Sequence, residues 1–138
     1  MAKIVLISCV SKKLDHEAEA QDLYTSPLFR LNLAYARRLQ PDAIFILSAK
    51  YGLLDLRERV RPYDLTLNAM SAAEVRRWAG QVLEQLRLRS DPARDEYVFL
   101  AGANYRKYLA PHLRHVAVPL EGLRIGEQLS QLKEWVDE

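Results

Sequence analysis

A three-layer α/β/α single domain spanning residues 1–138, with a mostly parallel sheet of about four strands, is the fold class this sequence predicts, on three observations. Short apolar runs without polar alternation (KIVLISC, AIFILSA, YVFLA and the brief HVAV) have the pattern of strands buried on both faces. Stretches with apolar residues at helical spacing separate them, as in parallel sheets with helices on both sides. Polar and aromatic residues collect just after the runs, where open α/β sheets bind their ligands.

The elements follow in order. Lys3 to Cys9 is the first strand and Val10 to Leu23, without a period, a loop beyond its carboxyl end. Ser26 followed by Pro27 starts a helix, the hydroxyl capping free N–H groups and the proline fitting the first turn. Leu28, Leu31, Ala34, Tyr35 and Leu39 form its apolar stripe, and Pro41 follows its end. Ala43 to Ala49 is the second strand. Leu53 to Met70 shows no dominant period and carries Pro62, so it reads as an irregular loop. Ser71 with Glu74 makes a capping box for an amphipathic helix to about Arg89. Ser90 to Glu96 is a charged turn, Tyr97 to Ala101 the third strand, Tyr105 to Leu113 a short helix, His115 to Val118 the fourth strand, and Ile125 to Val136 a final helix.

The 138 residues are 49% hydrophobic and 28% charged, with a net charge of +2, proportions that exclude disorder. The longest apolar run is far too short to cross a bilayer, so no membrane partner is expected, and no hydrophobic leader precedes the first strand; the expected compartment is the cytoplasm. One cysteine and three histidines (His16, His112, His115) make a structural zinc site unexpected, so the chemistry is expected to need no cofactor or metal. The mild positive charge permits a polyanionic partner without requiring one.

Candidate site residues cluster after the strands: Ser8, Cys9, Lys12 and Lys13 after the first, Lys50 and Tyr51 after the second, Asn104 and Tyr105 after the third. Cys9 reads as a pocket wall, since a nucleophile needs a base nearby. Asp64, between Tyr63 and Leu65, sits in a segment apolar enough to raise its pKa and make it a general base; a turn carboxylate is the plainer alternative. Tyr51 precedes Gly52, which allows close approach of a ligand to the backbone. Glu121 could accept a ligand hydrogen bond. Arg57, Arg59 and Arg61 alternate with Leu56, Glu58 and Val60, so an extended chain would aim three guanidiniums one way, as a phosphate backbone requires. The alternative is a solvated face neutralised by Asp55 and Glu58.

Six motifs in this order, Ser8-Cys9 with Lys12 and Lys13, DLYTSPLF (22–29), ILSAKYGLL (46–54), PYDLTL (62–67), AGANYRKYL (101–109) and PLEGLRIGEQL (119–129), resemble a bacterial and phage family catalogued as a domain of unknown function. That family is more remotely similar to the uracil-DNA-glycosylase-like superfamily, to the base-exchange domain of archaeosine synthase and to the peroxide-stress DNA-binding protein family. The remote likeness implies a uracil-DNA-glycosylase-like fold and the handling of a nucleobase in nucleic acid. It implies hydrolysis of the N-glycosidic bond of a modified or damaged pyrimidine in DNA, such as 5-hydroxymethylcytosine or a uracil derivative.

Such a bond breaks without a cofactor if the base is extruded, held between aromatic and apolar walls, and the cationic sugar is stabilised while water attacks. On that expectation Asp64 and Asn104 are catalytic, with Asp15, Asp22 and Glu121 as competing carboxylates, because the superfamily's water-activating motif is not legible after the first strand. Ser8, Cys9, Tyr24, Phe29, Lys50, Tyr51 and Glu121 bind the substrate base; Asn104 or Glu121 reads its edge. Lys12, Lys13, Ser26, Arg57, Arg59, Arg61, Tyr105 and Arg106 contact DNA, single-stranded or duplex with a flipped base. Two other readings stand beside it: a nucleic-acid-binding stress protein without turnover, and a nucleoside hydrolase or deoxyribosyltransferase acting on free nucleosides.

Overall fold

The computed structural model describes residues 1–8 and 12–137; the expectation for Cys9 lies outside the described residues. The chain runs β1 (Lys3–Ser8), β2 (Ala18–Glu19), α1 (Ala20–Leu23), α2 (Pro27–Arg38), β3 (Ala43–Ser48), β4 (Gly52–Asp55), β5 (Arg59–Val60), α3 (Ala72–Arg87), β6 (Glu96–Leu100), α4 (Ala103–Arg106), β7 (His115–Ala117) and α5 (Ile125–Asp137). The described residues form a five-stranded sheet in the order β4-β3-β1-β6-β7. β1 pairs in parallel with β3 and β6, β6 in parallel with β7, and only β4 runs antiparallel, against β3.

Alternate side chains of the central strands enter two cores, which is why those runs lack polar alternation. Ile4, Leu6, Phe45, Leu47, Tyr97 and Phe99 meet Val75, Trp78, Val82 and Leu86 of α3 on one face. Val5, Ile7, Ile46, Val98 and Leu100 meet Phe29, Leu33 and Ala36 of α2 and Leu132 of α5 on the other. Each helix starts where local chemistry directs: Ser26 Oγ accepts from the Phe29 N–H at 3.1 Å, and the Ser71–Glu74 capping box is closed in both directions.

Several expectations are corrected. The sheet has five strands, because Gly52–Asp55, expected as the edge of an irregular loop, pairs with β3. The segment expected as a loop before Leu23 holds β2 and α1, tied to the distant 56–60 stretch by Ala20 N–H to Glu58 O and Gln21 N–H to Leu56 O, at 2.8 and 2.9 Å. No local period could show that pairing. The short helix expected over 105–113 is the single turn α4 followed by a 3-10 turn at Ala110–His112, where Pro111 cannot supply an N–H for a continuous helix.

Gly52 has φ +76°, and a Cβ there would run into the Gln85 side-chain oxygen, which accepts from the Leu53 N–H at 2.9 Å. The close approach that glycine permits is thus to Gln85 of α3, which anchors β4. Gly52→Ala is expected to cost about 1–2 kcal/mol from backbone strain plus the loss of that anchor, read as a lowered urea midpoint.

Asp95, 8% exposed, ties the amino terminus to the turn before β6: its two carboxylate oxygens accept from the N–H groups of Ala2 and Asp91, both at 2.8 Å. The Asp91 and Ala2 backbone N–H groups hold its pKa below the ordinary aspartate value. A depressed folded-state pKa means that the stabilisation is present above the unfolded pKa and disappears as pH falls through the folded one. The thermal midpoint should therefore drop on acidification below about pH 4, and Asp95→Asn should be less stable at neutral pH and less sensitive to that acidification.

Candidate functional site

From β1 the chain crosses to β3 on one side and returns, through α3, to β6 on the other, so strand order reverses between β1 and β6. The carboxyl ends of such neighbouring strands leave a crevice that helices cannot fill. A cavity of about 330 Å³ opens there, at the lower end of the range of small-molecule sites. Ser8 ends β1, and its Oγ accepts from the Gly102 N–H just past β6 at 3.3 Å, joining the two strand ends at the cavity.

The walls are mostly apolar, with Phe29 of α2 and Leu120 among them. Four polar side chains also line it: Ser8, Asn32, Arg106 and Gln128. Gln128 is held by donation to Leu123 O at 2.9 Å. Arg106 donates from Nε to Ala101 O at 3.0 Å and from Nη1 to Glu121 Oε2 at 3.3 Å, which presents one cation, already oriented, at the wall. No carboxylate among the described residues lines the cavity.

Asn32 differs from the other three. It is 4% exposed, and its Oδ1 is buried with no hydrogen-bond partner among the described residues. An orphaned amide oxygen costs about 1–3 kcal/mol, so native structures rarely leave one without a purpose. The expected stripe of α2 omitted Asn32. The structure turns Phe29, Asn32, Leu33 and Ala36 inward, because α2 is covered twice. The sheet takes that face, while α5 covers another: Tyr35 stacks on Trp135 with centroids 4.8 Å apart, and Arg38 donates to Val136 O at 2.8 Å. The signal available in the sequence was a second apolar row, Phe29, Leu33 and Ala36, with a lone amide in its midst.

A smaller cleft of about 240 Å³ shares Ser8 and Gly102 and is lined by Thr66, Asn68, Asn104 and Tyr105. Asn104, exposed, donates to the Asn68 side-chain oxygen. Tyr105, expected on a DNA-facing surface, is only 7% exposed and packs edge-on against Trp78, centroids 5.5 Å apart, so its ring belongs to the core and the cleft wall.

A third group gathers beside the end of β3. The Tyr63 hydroxyl bonds those of Tyr24 and Ser48, each at 2.8 Å. Tyr51 packs edge-on against Tyr63 and Lys13 Nζ lies 4.5 Å from the Tyr63 ring centre, while Lys50 Nζ is 5.4 Å from that of Tyr51. Tyr24, 1% exposed, packs on Phe29 and is a wall behind the cavity, with no face free for stacking. Ser48 and Tyr63 carry this arrangement, and sequence reasoning assigned Ser48 no part in it.

The remaining expected residues lie apart from the cavity. Asp64 is exposed, and its neighbour Leu65 is 40% exposed. The apolar setting expected for its carboxyl is absent, because Tyr63 is the residue that turns in to bond Ser48 and Tyr24. Of the competing carboxylates, Asp15 and Asp22 are exposed; Asp15 is held below the ordinary range by a hydrogen bond from His16, which makes it a poor base. Glu121 is exposed but touches the cavity-lining Arg106.

The arginine ridge is broken: Leu56 and Arg57 lie in a turn, only Arg59–Val60 is strand, and Glu17 takes both Arg59, at 3.3 Å, and Arg61, at 3.9 Å. Its neutralising partner is thus Glu17, while Asp55 goes to Arg89. Lys12 is exposed, and the Ser26 hydroxyl is engaged by its helix.

Among the described residues no helix is long and apolar enough to cross a membrane, and no group of three His, Cys, Asp or Glu side chains is arranged to hold a metal ion. Compared with known families, the chain matches a family of unknown function, DUF6884, over residues 4–134. No curated protein matches the chain.

Proposed function

The chain belongs to that family, DUF6884, and from this premise we propose that it is a DNA glycosylase that takes one modified or damaged pyrimidine into the cavity between β1 and β6 and hydrolyses its N-glycosidic bond. The observation that carries the reading is Asn32, which lines a mostly apolar cavity of about 330 Å³ and whose buried amide oxygen has no hydrogen-bond partner among the described residues. A pyrimidine edge offers the N–H donor that this oxygen lacks, on a flat apolar body that suits walls such as Phe29 and Leu120. A uracil-DNA-glycosylase-like fold is part of the same proposal, supported by a mostly parallel sheet with its cavity at the carboxyl strand ends.

In the reaction the bond between C1′ and the base nitrogen breaks, and its electron pair leaves on the base. Water adds to C1′ and loses a proton, and the base gains one. Arg106 at the wall offsets the negative charge that develops on the departing base, an effect strongest where it is positioned in advance. Glu121, held against Arg106, is the carboxylate best sited to orient water or face the cationic sugar; exposed Asp64 is the less favoured alternative.

The test is incubation of the protein with oligonucleotides that each carry one modified or mismatched base, and with the matching nucleosides, followed by mass spectrometry. Release of one base class from oligonucleotides, leaving an abasic strand, is the expected result. Release from nucleosides alone would replace DNA with a free-nucleoside substrate. A second reading, recognition without turnover, is favoured by the lack of any carboxylate lining the cavity among the described residues; tight binding of one modified oligonucleotide without release would select it.

A further inference from the structure

We propose that single-stranded DNA reaches the cavity along a cationic groove over α4 and the 3-10 turn that follows it, and that this groove, with Lys107 and Arg76, holds the strand's phosphates. The inference rests on the reading of the cavity as a nucleobase site.

The groove, about 510 Å³, adjoins the cavity, with Ala103 and Arg106 lining both. It continues past Lys107 and Pro111, and Pro111 also lines the next hollow, of about 360 Å³, with Arg76, Tyr108 and His112. No Asp or Glu among the described residues lines either hollow. The Tyr108 ring is flanked by two cations, the Arg76 guanidinium carbon 4.9 Å from its centre and Lys107 Nζ at 5.4 Å. Neither cation lies within ion-pair distance of a carboxylate among the described residues, whereas Arg59 and Arg61 share Glu17.

Charge complementarity therefore favours a polyanion here over the arginine ridge expected to hold it. An aromatic ring set among cations in a groove suits the sugar-phosphate backbone and bases of an unpaired strand. An acidic peptide would satisfy the charges equally, but it has no base to place in the cavity beside the groove.

The test is fluorescence anisotropy with a 15-residue oligothymidylate, which carries no modified base and so reads the groove independently of base release. Arg76→Glu with Lys107→Glu should weaken binding at least tenfold at low salt. Losing two phosphate contacts should flatten the slope of log affinity against log salt by about 1.4, from about 0.7 per phosphate on a single strand. Circular dichroism establishes that the variant is folded; if it is not, Arg76→Gln with Lys107→Gln replaces it. Arg57→Glu with Arg59→Glu and Arg61→Glu should leave the slope unchanged.

An unchanged slope in the groove variant, or a loss confined to the ridge variant, would overturn the inference. So would failure of the parent protein to bind the oligonucleotide while it binds polyglutamate or anionic vesicles through the same two residues. If the oligonucleotide binds through the groove yet no base is ever released, the glycosylase reading fails and the groove stands.

Discussion

Asn32→Leu should slow base release severely while leaving the protein as stable as the parent or more so. The two side chains share the same branched four-atom skeleton, the cavity beside Asn32 gives room for the bulkier leucine, and the substitution removes a buried oxygen that has no hydrogen-bond partner among the described residues. A purely structural asparagine behaves in the opposite way, because its loss breaks bonds that hold the fold. Here the folded protein already bears the cost of desolvating Oδ1, so removing it should stabilise by up to about 1–3 kcal/mol. The ligand N–H would then meet a methyl group and lose its partner. Turnover should fall by about 100- to 1000-fold, the usual consequence of deleting one aimed hydrogen bond in a closed site. Urea denaturation and base-release kinetics on the same preparation check both halves. Lower stability with activity retained would make Asn32 a structural residue.

Trp78→Ala should have the largest effect on stability, about 3–5 kcal/mol out of the 5–15 typical of a whole domain. Trp78 is 5% exposed, packs edge-on against Tyr105, and donates from its indole to Ser48 O at 2.8 Å. That bond fixes the end of β3, where the Ser48 hydroxyl also accepts from the Tyr51 N–H at 3.0 Å and bonds Tyr63. Trp78→Phe keeps most of the packing and removes the indole bond to the Ser48 carbonyl, so it should cost about 0.5–1.5 kcal/mol. Both variants should perturb the Tyr24–Tyr63 pair behind the cavity; the denaturation midpoint and near-UV circular dichroism report the two effects.

What was legible in the sequence is what local physics decides. β1, β3 and β6 were readable because strands buried on both faces must be apolar throughout, and α3 because Ser71 and Glu74 cap it within one turn. β4 was not, because its position depends on Gln85 reaching across from α3 and on the positive φ of Gly52, which are tertiary facts. The same holds for β2 and β5, which pair across some forty residues of chain through Ala18–Val60 and Glu19–Arg59.

At the cavity wall, Ser8 comes from the last position of β1 and Phe29 from the DLYTSPLF motif. Local pattern failed where neighbours differ in direction. Tyr63 turns in and Asp64 faces solvent, and α2 turns Asn32 to the cavity because α5 packs on the side that carries Tyr35 of the expected apolar stripe. The arginine ridge failed for a related reason. Alternation in sequence gives a common direction only if the chain is extended throughout, and Leu56 and Arg57 lie in a turn.

The most direct test of the central claim is an NMR titration of the isotope-labelled protein with free modified pyrimidine bases, following the Asn32 side-chain amide. Saturable shifts at Asn32, accompanied by the backbone amides of Gly102 and Gln128 around the cavity, are the predicted result. Shifts confined to other surfaces, or none at millimolar base, would contradict a nucleobase site between β1 and β6.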